Sequence, residues 1–149
     1  MRKGYHYTAC GLDDVYLQGI EHSKDVEGYD VVEIPNVWQL HRVIAEAVVT
    51  ADGALSPKEF RFLRSEVGLT QAQFAEQAGV QRLTVTRWEN GESRIDRNAE
   101  GFLRLLAIEK LGLRVDLSVS DLWSRIYGDA QDHNIDIDAS DPERYRAVA

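Results

Sequence analysis

These 149 residues predict an α+β chain: a small N-terminal antiparallel β-sheet with one covering helix, followed by an all-α segment. Three observations carry that expectation. Residues 5–34 alternate apolar and polar side chains between turn breaks, as half-exposed strands do. From residue 36 onward, apolar side chains recur at three and four, the helical period. Between Gly68 and Gly91, GLTQAQFAEQAGVQRLTVTRWENG holds two short helical patterns about one glycine. The expected boundaries are 1–53 for the sheet and its helix, 54–127 for the helical domain, and 128–149 for an acidic, solvated tail.

Tyr5 to Cys10 alternates aromatic with polar residues until Gly11 breaks the run, which predicts a first strand. Asp13 to Gln18 predicts a second, GIEHSKDVEG a loop, and Tyr29 to Ile34 a third strand stopped by Pro35. So small a sheet is marginal unless something covers a face. Asn36 with Gln39 gives a capping-box-like start to the covering helix, whose stripe is Val37, Leu40, Ile44, Ala47 and Val48. It should run to about Thr50.

Ser56-Pro57-Lys58-Glu59 is a helix start, with serine as cap, proline at the first position and glutamate three residues after the cap. Phe60, Leu63 and Val67 form its buried stripe; Arg61 and Arg64 lie off it, on an expected solvated face. Thr70 with Gln73 caps the next helix, and Ala72, Phe74, Ala75 and Ala78 supply its apolar side. Gly79 permits the positive φ that ends that helix sharply. Val80, Leu83 or Thr84, Val85 and Trp88 make a second stripe, leaving Arg82, Thr86 and Arg87 outward, and Asn90-Gly91 closes it. Asp96 then caps a helix to about Leu111, so rich in leucine on several sides that part of it is expected to meet a second copy. SDLWSRIY, residues 120–127, predicts another short helix. In the tail, Ile135 and Ile137 alternate with Asp136 and Asp138, a pattern able to add to a partner's sheet edge.

Net charge is −8, from 17 basic and 25 acidic residues, which at first argues against nucleic acid. Its distribution reverses that. Residues 58–97 carry 7 basic and 6 acidic side chains, whereas 1–57 carry 4 and 9, and 98–149 carry 6 and 10. Phosphate contacts act within a Debye length, so one non-acidic segment suffices for docking. No apolar run approaches the ~20 residues needed to cross a bilayer. MRKGYHYTAC lacks the apolar stretch of a secretory signal. The single Cys10 fits a reducing cytoplasm and, with His6, His22 and His41 unpaired in spacing, does not make a zinc set. Neither a metal nor a cofactor is expected, and nothing resembles a catalytic constellation.

Leu69, Thr70, Gln71, Ala75, Gly79, Val80, Thr84, Val85, Trp88, Glu89 and Gly91 together resemble the helix-turn-helix signature of the Xre (Cro/C1-type) regulator family. Gln81 departs from it: the family usually has serine there, which caps the second helix. The resemblance implies a lambda repressor-like domain whose second helix enters the major groove. It assigns base contact to Gln81, Arg82, Leu83, Thr86 and Arg87, and backbone contact to Thr70, Gln71, Thr84, Asn90, Ser93 and Arg94. The implied partner is double-stranded operator DNA, bound by a homodimer acting as a repressor, its own promoter included. In YTACGLDDVYL the N-terminal layout resembles MqsA-type antitoxins without the zinc cysteines. That implies the alternative of an antitoxin which neutralises a toxin protein by direct binding and represses its own operon.

Overall fold

The computed structural model describes residues 4–20, 22–127 and 133–148. Its strands are β1 (Tyr5–His6), β2 (Val15–Gln18), β3 (His22–Lys24) and β4 (Asp30–Val32). Six helices follow: α1 (Val37–Thr50), α2 (Pro57–Glu66), α3 (Gln71–Ala78), α4 (Arg82–Glu89), α5 (Arg97–Leu111) and α6 (Val119–Arg125). Two strands, β5 (Ile135–Asp138) and β6 (Arg146–Val148), close the chain. The chain divides into two units, one holding residues up to Ile44 and from Asn134 on, the other Ala45–His133. The class is α+β, and no helix among the described residues is long and apolar enough to cross a membrane.

In the first unit, Val15 and Leu17 of β2 alternate with half-buried residues, and so do Ile135 and Ile137 of β5. The two strands run parallel, with Val15 opposite Ile135 and Leu17 opposite Ile137, so four apolar side chains share one buried face. The sheet order is β1-β2-β5-β6, with antiparallel β1 and β6 at the ends; β3 and β4 form a separate antiparallel ribbon. The sheet is therefore mixed, not purely antiparallel. Residues 135–138 and 146–148, expected in a solvated tail or on a partner's edge, pair within the chain's own sheet. A parallel pair needs a long crossover, and here it is everything between Gln18 and Ile135, so no local pattern announces it.

Smaller departures have local causes. The first strand stops at His6 because Gly11 N donates to Thr8 O and turns the chain, and β3 arises inside the expected loop. Asn36 does not cap α1: it sits at φ 55, and its amide donates to Pro142 O at 2.7 Å. The Gln39 amide faces Glu143 O instead of the helix start. Leu40 and Ile44 of α1 are fully buried with Tyr7, Leu12 and Tyr145 in this unit's core.

The helical unit follows its caps closely. Ser56 Oγ accepts from Glu59 N at 3.2 Å while Glu59 Oε1 accepts from Ser56 N at 3.0 Å, with Pro57 at the first position. Phe60 stands edge-on to both Phe74 (5.2 Å) and Trp88 (5.8 Å), tying α2, α3 and α4 at one point. Asp96 caps α5 by accepting from Ala99 N, and Gly112 ends it in the left-handed conformation. The breadth of apolar surface on α5 has a cause within the chain. Gly101 lets the Trp123 ring of α6 lie directly on the helix, where a Cβ would come within 2.3 Å of it.

Beside that contact, Arg104 and Glu100 are buried inside the unit. Arg104 donates to the carbonyls of Val49, Ala51 and Gly53 at the end of α1, at 2.7–3.1 Å, and to Glu100 Oε2 at 2.9 Å. A guanidinium is suited to this, since it meets the unpaired carbonyls of a helix C-terminus and the dipole's negative end together.

Candidate nucleic-acid interface

Thr70 sets up the first half of the interface: its hydroxyl accepts from Gln73 N and the Gln73 side chain returns to Thr70 N, which starts α3. Gly79 then takes φ 73, and Val80 N reaches back to Ala75 O, so only three residues separate α3 from α4. Its N-cap, Gln81, makes no side-chain capping bond, as expected where serine is missing.

The inner face of α4 is held from three sides. Val85 and Trp88 are buried. Glu89, at the last turn, takes two bonds from Arg64 of α2, at 2.6 and 2.9 Å, and one from the Gln71 amide of α3 at 3.1 Å. Arg64 also donates to Leu69 O at 2.7 Å. Arg64 is thus a buried brace and not the solvated side chain expected for it. Its partner lies 25 residues away, beyond the reach of a helical-stripe argument.

The other face of α4 points out. Arg82, Leu83, Arg87 and Asn90 are exposed, Leu83 at 54%, and Gln81 is exposed ahead of them. With half-buried Thr86 they recur at one, four, five and eight from Arg82, a single helical face. Among the described residues neither Arg82 nor Arg87 makes an ion pair. Thr86 differs from the rest, because its hydroxyl bonds Gln71 Oε1 at 2.9 Å and Arg82 O at 3.2 Å. Thr84 is half-buried at the flank.

Of the residues expected at the phosphates, Thr70, Asn90, Ser93 and Arg94 are exposed. Gln71 is half-buried, with its amide already bonded to Glu89 and Thr86, so its side chain braces α4 from the start of α3. Ser93 and Arg94 line an open groove of about 450 Å³ with Pro57, Gly91 and Ile95. Among the described residues no three His, Cys, Asp or Glu side chains are grouped so as to hold a metal ion.

Residues 60–98, about a quarter of the chain, match the family model for the helix-turn-helix. The match begins at Phe60 in α2, takes in α3 and α4, and ends at Asn98 in the first turn of α5. No curated protein and no solved structure matches the chain.

Proposed function

From a chain whose residues 60–98 are a DNA-binding helix-turn-helix of the kind transcriptional regulators carry, we infer a sequence-specific repressor that binds a palindromic operator as a homodimer. One observation carries the reading: α4 is braced on its inner side by Trp88, Val85 and Glu89, and presents Arg82, Leu83 and Arg87 outward. A major groove admits one such helix and offers each base pair a distinct set of donors and acceptors. Arg82 or Arg87 holds a guanine by two bonds, Leu83 meets a thymine methyl, and Gln81 and Thr86 complete the readout. Thr70, Thr84, Asn90, Ser93 and Arg94 serve the sugar-phosphate backbone, and Gln71 does so through its main-chain N–H at the start of α3, its side chain being engaged in the brace. One module covers few base pairs, so two copies on half-sites ~34–36 Å apart form the binding unit.

The test is binding to the DNA upstream of the protein's own gene, with Arg82→Ala and Arg87→Ala compared to the parent at several salt concentrations. Each substitution should cost about 1–3 kcal/mol on the specific site and narrow the margin over random duplex. If both variants bind as tightly and as selectively as the parent, α4 is not the reading helix.

A second reading, an antitoxin that binds a toxin protein and represses their shared operon, is favoured by the unit outside the helix-turn-helix. Its residues, 1–44 and 134–149, carry eleven acidic side chains against six basic. Such a surface repels phosphate and suits a protein partner.

A further inference from the structure

Among the described side chains of residues 24–38, almost none is buried. Lys24 to Tyr29, Val31, Glu33 and Pro35 to Trp38 are exposed, and of the other side chains described there Val32 and Ile34 are half-buried. The tip of the β3–β4 ribbon is pinned: Asp25 Oδ1 accepts from both Glu27 N and Tyr29 N at 2.9 Å, and Asp25 N donates to Tyr29 O at 3.0 Å. Backbone hydrogen bonds therefore hold the tip, and the described side chains are left outward.

Those side chains are the wrong kind for a plain solvated loop. Val26 is fully exposed, Tyr29 68% and Trp38 70%, with Val31 and Val37 beside them in sequence. Single exposed apolar residues are ordinary, but five in one short segment mark an interaction surface. Tyrosine and tryptophan are also the residues that anchor protein interfaces most strongly.

Charge selects the occupant. The apolar residues are interleaved with Asp25, Asp30, Glu27 and Glu33 against one Lys24. Arg42 lies over the Trp38 ring at 3.9 Å, and Arg146 pairs with Asp138 at 3.3 Å. DNA and anionic lipid have the sign of this surface and are repelled by it. A second copy would bring the same acidic rim. A basic protein meets both requirements at once.

We propose that residues 24–38 are the docking surface for a basic protein, whose lysines and arginines face Asp25, Glu27 and Glu33 and whose apolar sites receive Tyr29 and Trp38. This rests on the protein-binding reading above and not on the operator reading, which concerns α4.

The test selects a displayed library of random peptides on the immobilised full chain. Recovered peptides should be net positive with an aromatic or aliphatic anchor. A synthesised representative should lose at least about tenfold in affinity to Trp38→Ala and to Tyr29→Ala. Glu27→Lys with Glu33→Lys should slow its association and flatten its salt dependence. All variants should keep the parent's thermal melt and DNA affinity, which separates lost docking from lost folding. Basic peptides that bind the variants as well as the parent would overturn the surface while leaving the protein-binding reading in place. Peptides without a positive bias would remove both. A parent dimer turned monomeric by Trp38→Ala would overturn the proposal in favour of self-association.

Discussion

Helix α4 and helix α5 use arginine in opposite ways. On α4, Arg82 and Arg87 stand exposed and make no ion pair among the described residues. On α5, Arg104 is 1% exposed and holds three backbone carbonyls and the Glu100 carboxylate. Arg64 of α2 is intermediate, bonded twice to Glu89 and once to Leu69 O. The surroundings separate the roles. A buried guanidinium needs nearly every donor matched, because leaving charge unpaired in low dielectric is costly. Exposed donors are satisfied by water and stay available for a phosphate or a guanine edge. Arginines at a binding face are thus recognised by what they leave unbonded.

The Arg104 cluster extends further. Glu59 faces His133, whose Nδ1 lies 2.8 Å from Glu59 Oε2 and whose Nε2 lies 2.7 Å from Asp52 O. Both ring nitrogens meet acceptors, so only the imidazolium satisfies both. Hydrogen bonding to the Glu59 carboxylate outweighs burial and raises the His133 pKa. Burial pushes the Glu100 carboxyl upward, opposed chiefly by Arg104. With His133 charged, Glu59 and Glu100 are balanced by His133 and Arg104.

Substitutions rank this contrast by size. Arg104→Ala leaves Glu100 and three carbonyls without their donor and should destabilise the chain by about 3–5 kcal/mol, read from denaturant melts; a loss below 1 kcal/mol would mean the cluster is solvated. Arg64→Ala should cost about 1.5–3 kcal/mol, the range for hydrogen bonds to a charged partner. It should weaken DNA binding as well, since the brace of α4 goes with it. The His133 contribution is smaller because the ring is partly solvated. With the folded pKa raised, that contribution is complete below the unfolded value of about 6.5 and disappears as pH rises through the folded one. Stability should therefore fall with rising pH more in the parent than in His133→Gln, and parallel curves would refute the contribution of the His133–Glu59 pair. Gln81→Ser supplies the missing cap and should add about 0.5–1 kcal/mol of stability. Arg82→Ala and Arg87→Ala should change stability by no more than about 0.5 kcal/mol while impairing DNA binding. A large change in melting would place these two among the braces.

Much of the helix-turn-helix was legible in the residues because its determinants are local. Thr70 with Gln73, Ser56 with Glu59 and Gly79 act within one turn of chain, and all three behave as the sequence predicts. Outward Arg82 and Arg87 follow from the spacing of Val85 and Trp88. The brace made by Arg64 is not legible in its own helix, because its partner Glu89 comes from another one. Asn36 has the sequence of a cap, but the chain takes φ 55 there and the amide nitrogen donates to Pro142 O, 106 residues on. Glu100 and Arg104 carried no signal, since an acid and a base one turn apart on a helix usually form a solvated pair, and His133 carried none because its partner Glu59 lies 74 residues away.

By itself the sequence determined the helices, their ends and which side of α4 turns to the core, since these follow from hydrogen bonds and side-chain periods spanning four residues or fewer. Only the tertiary structure decided that β5 runs parallel beside β2, that Trp123 covers α5 at Gly101, and which arginines are held inside. Each of these depends on groups brought together across tens of residues. Their energy arises from burial and charge pairing that no stretch of chain possesses alone.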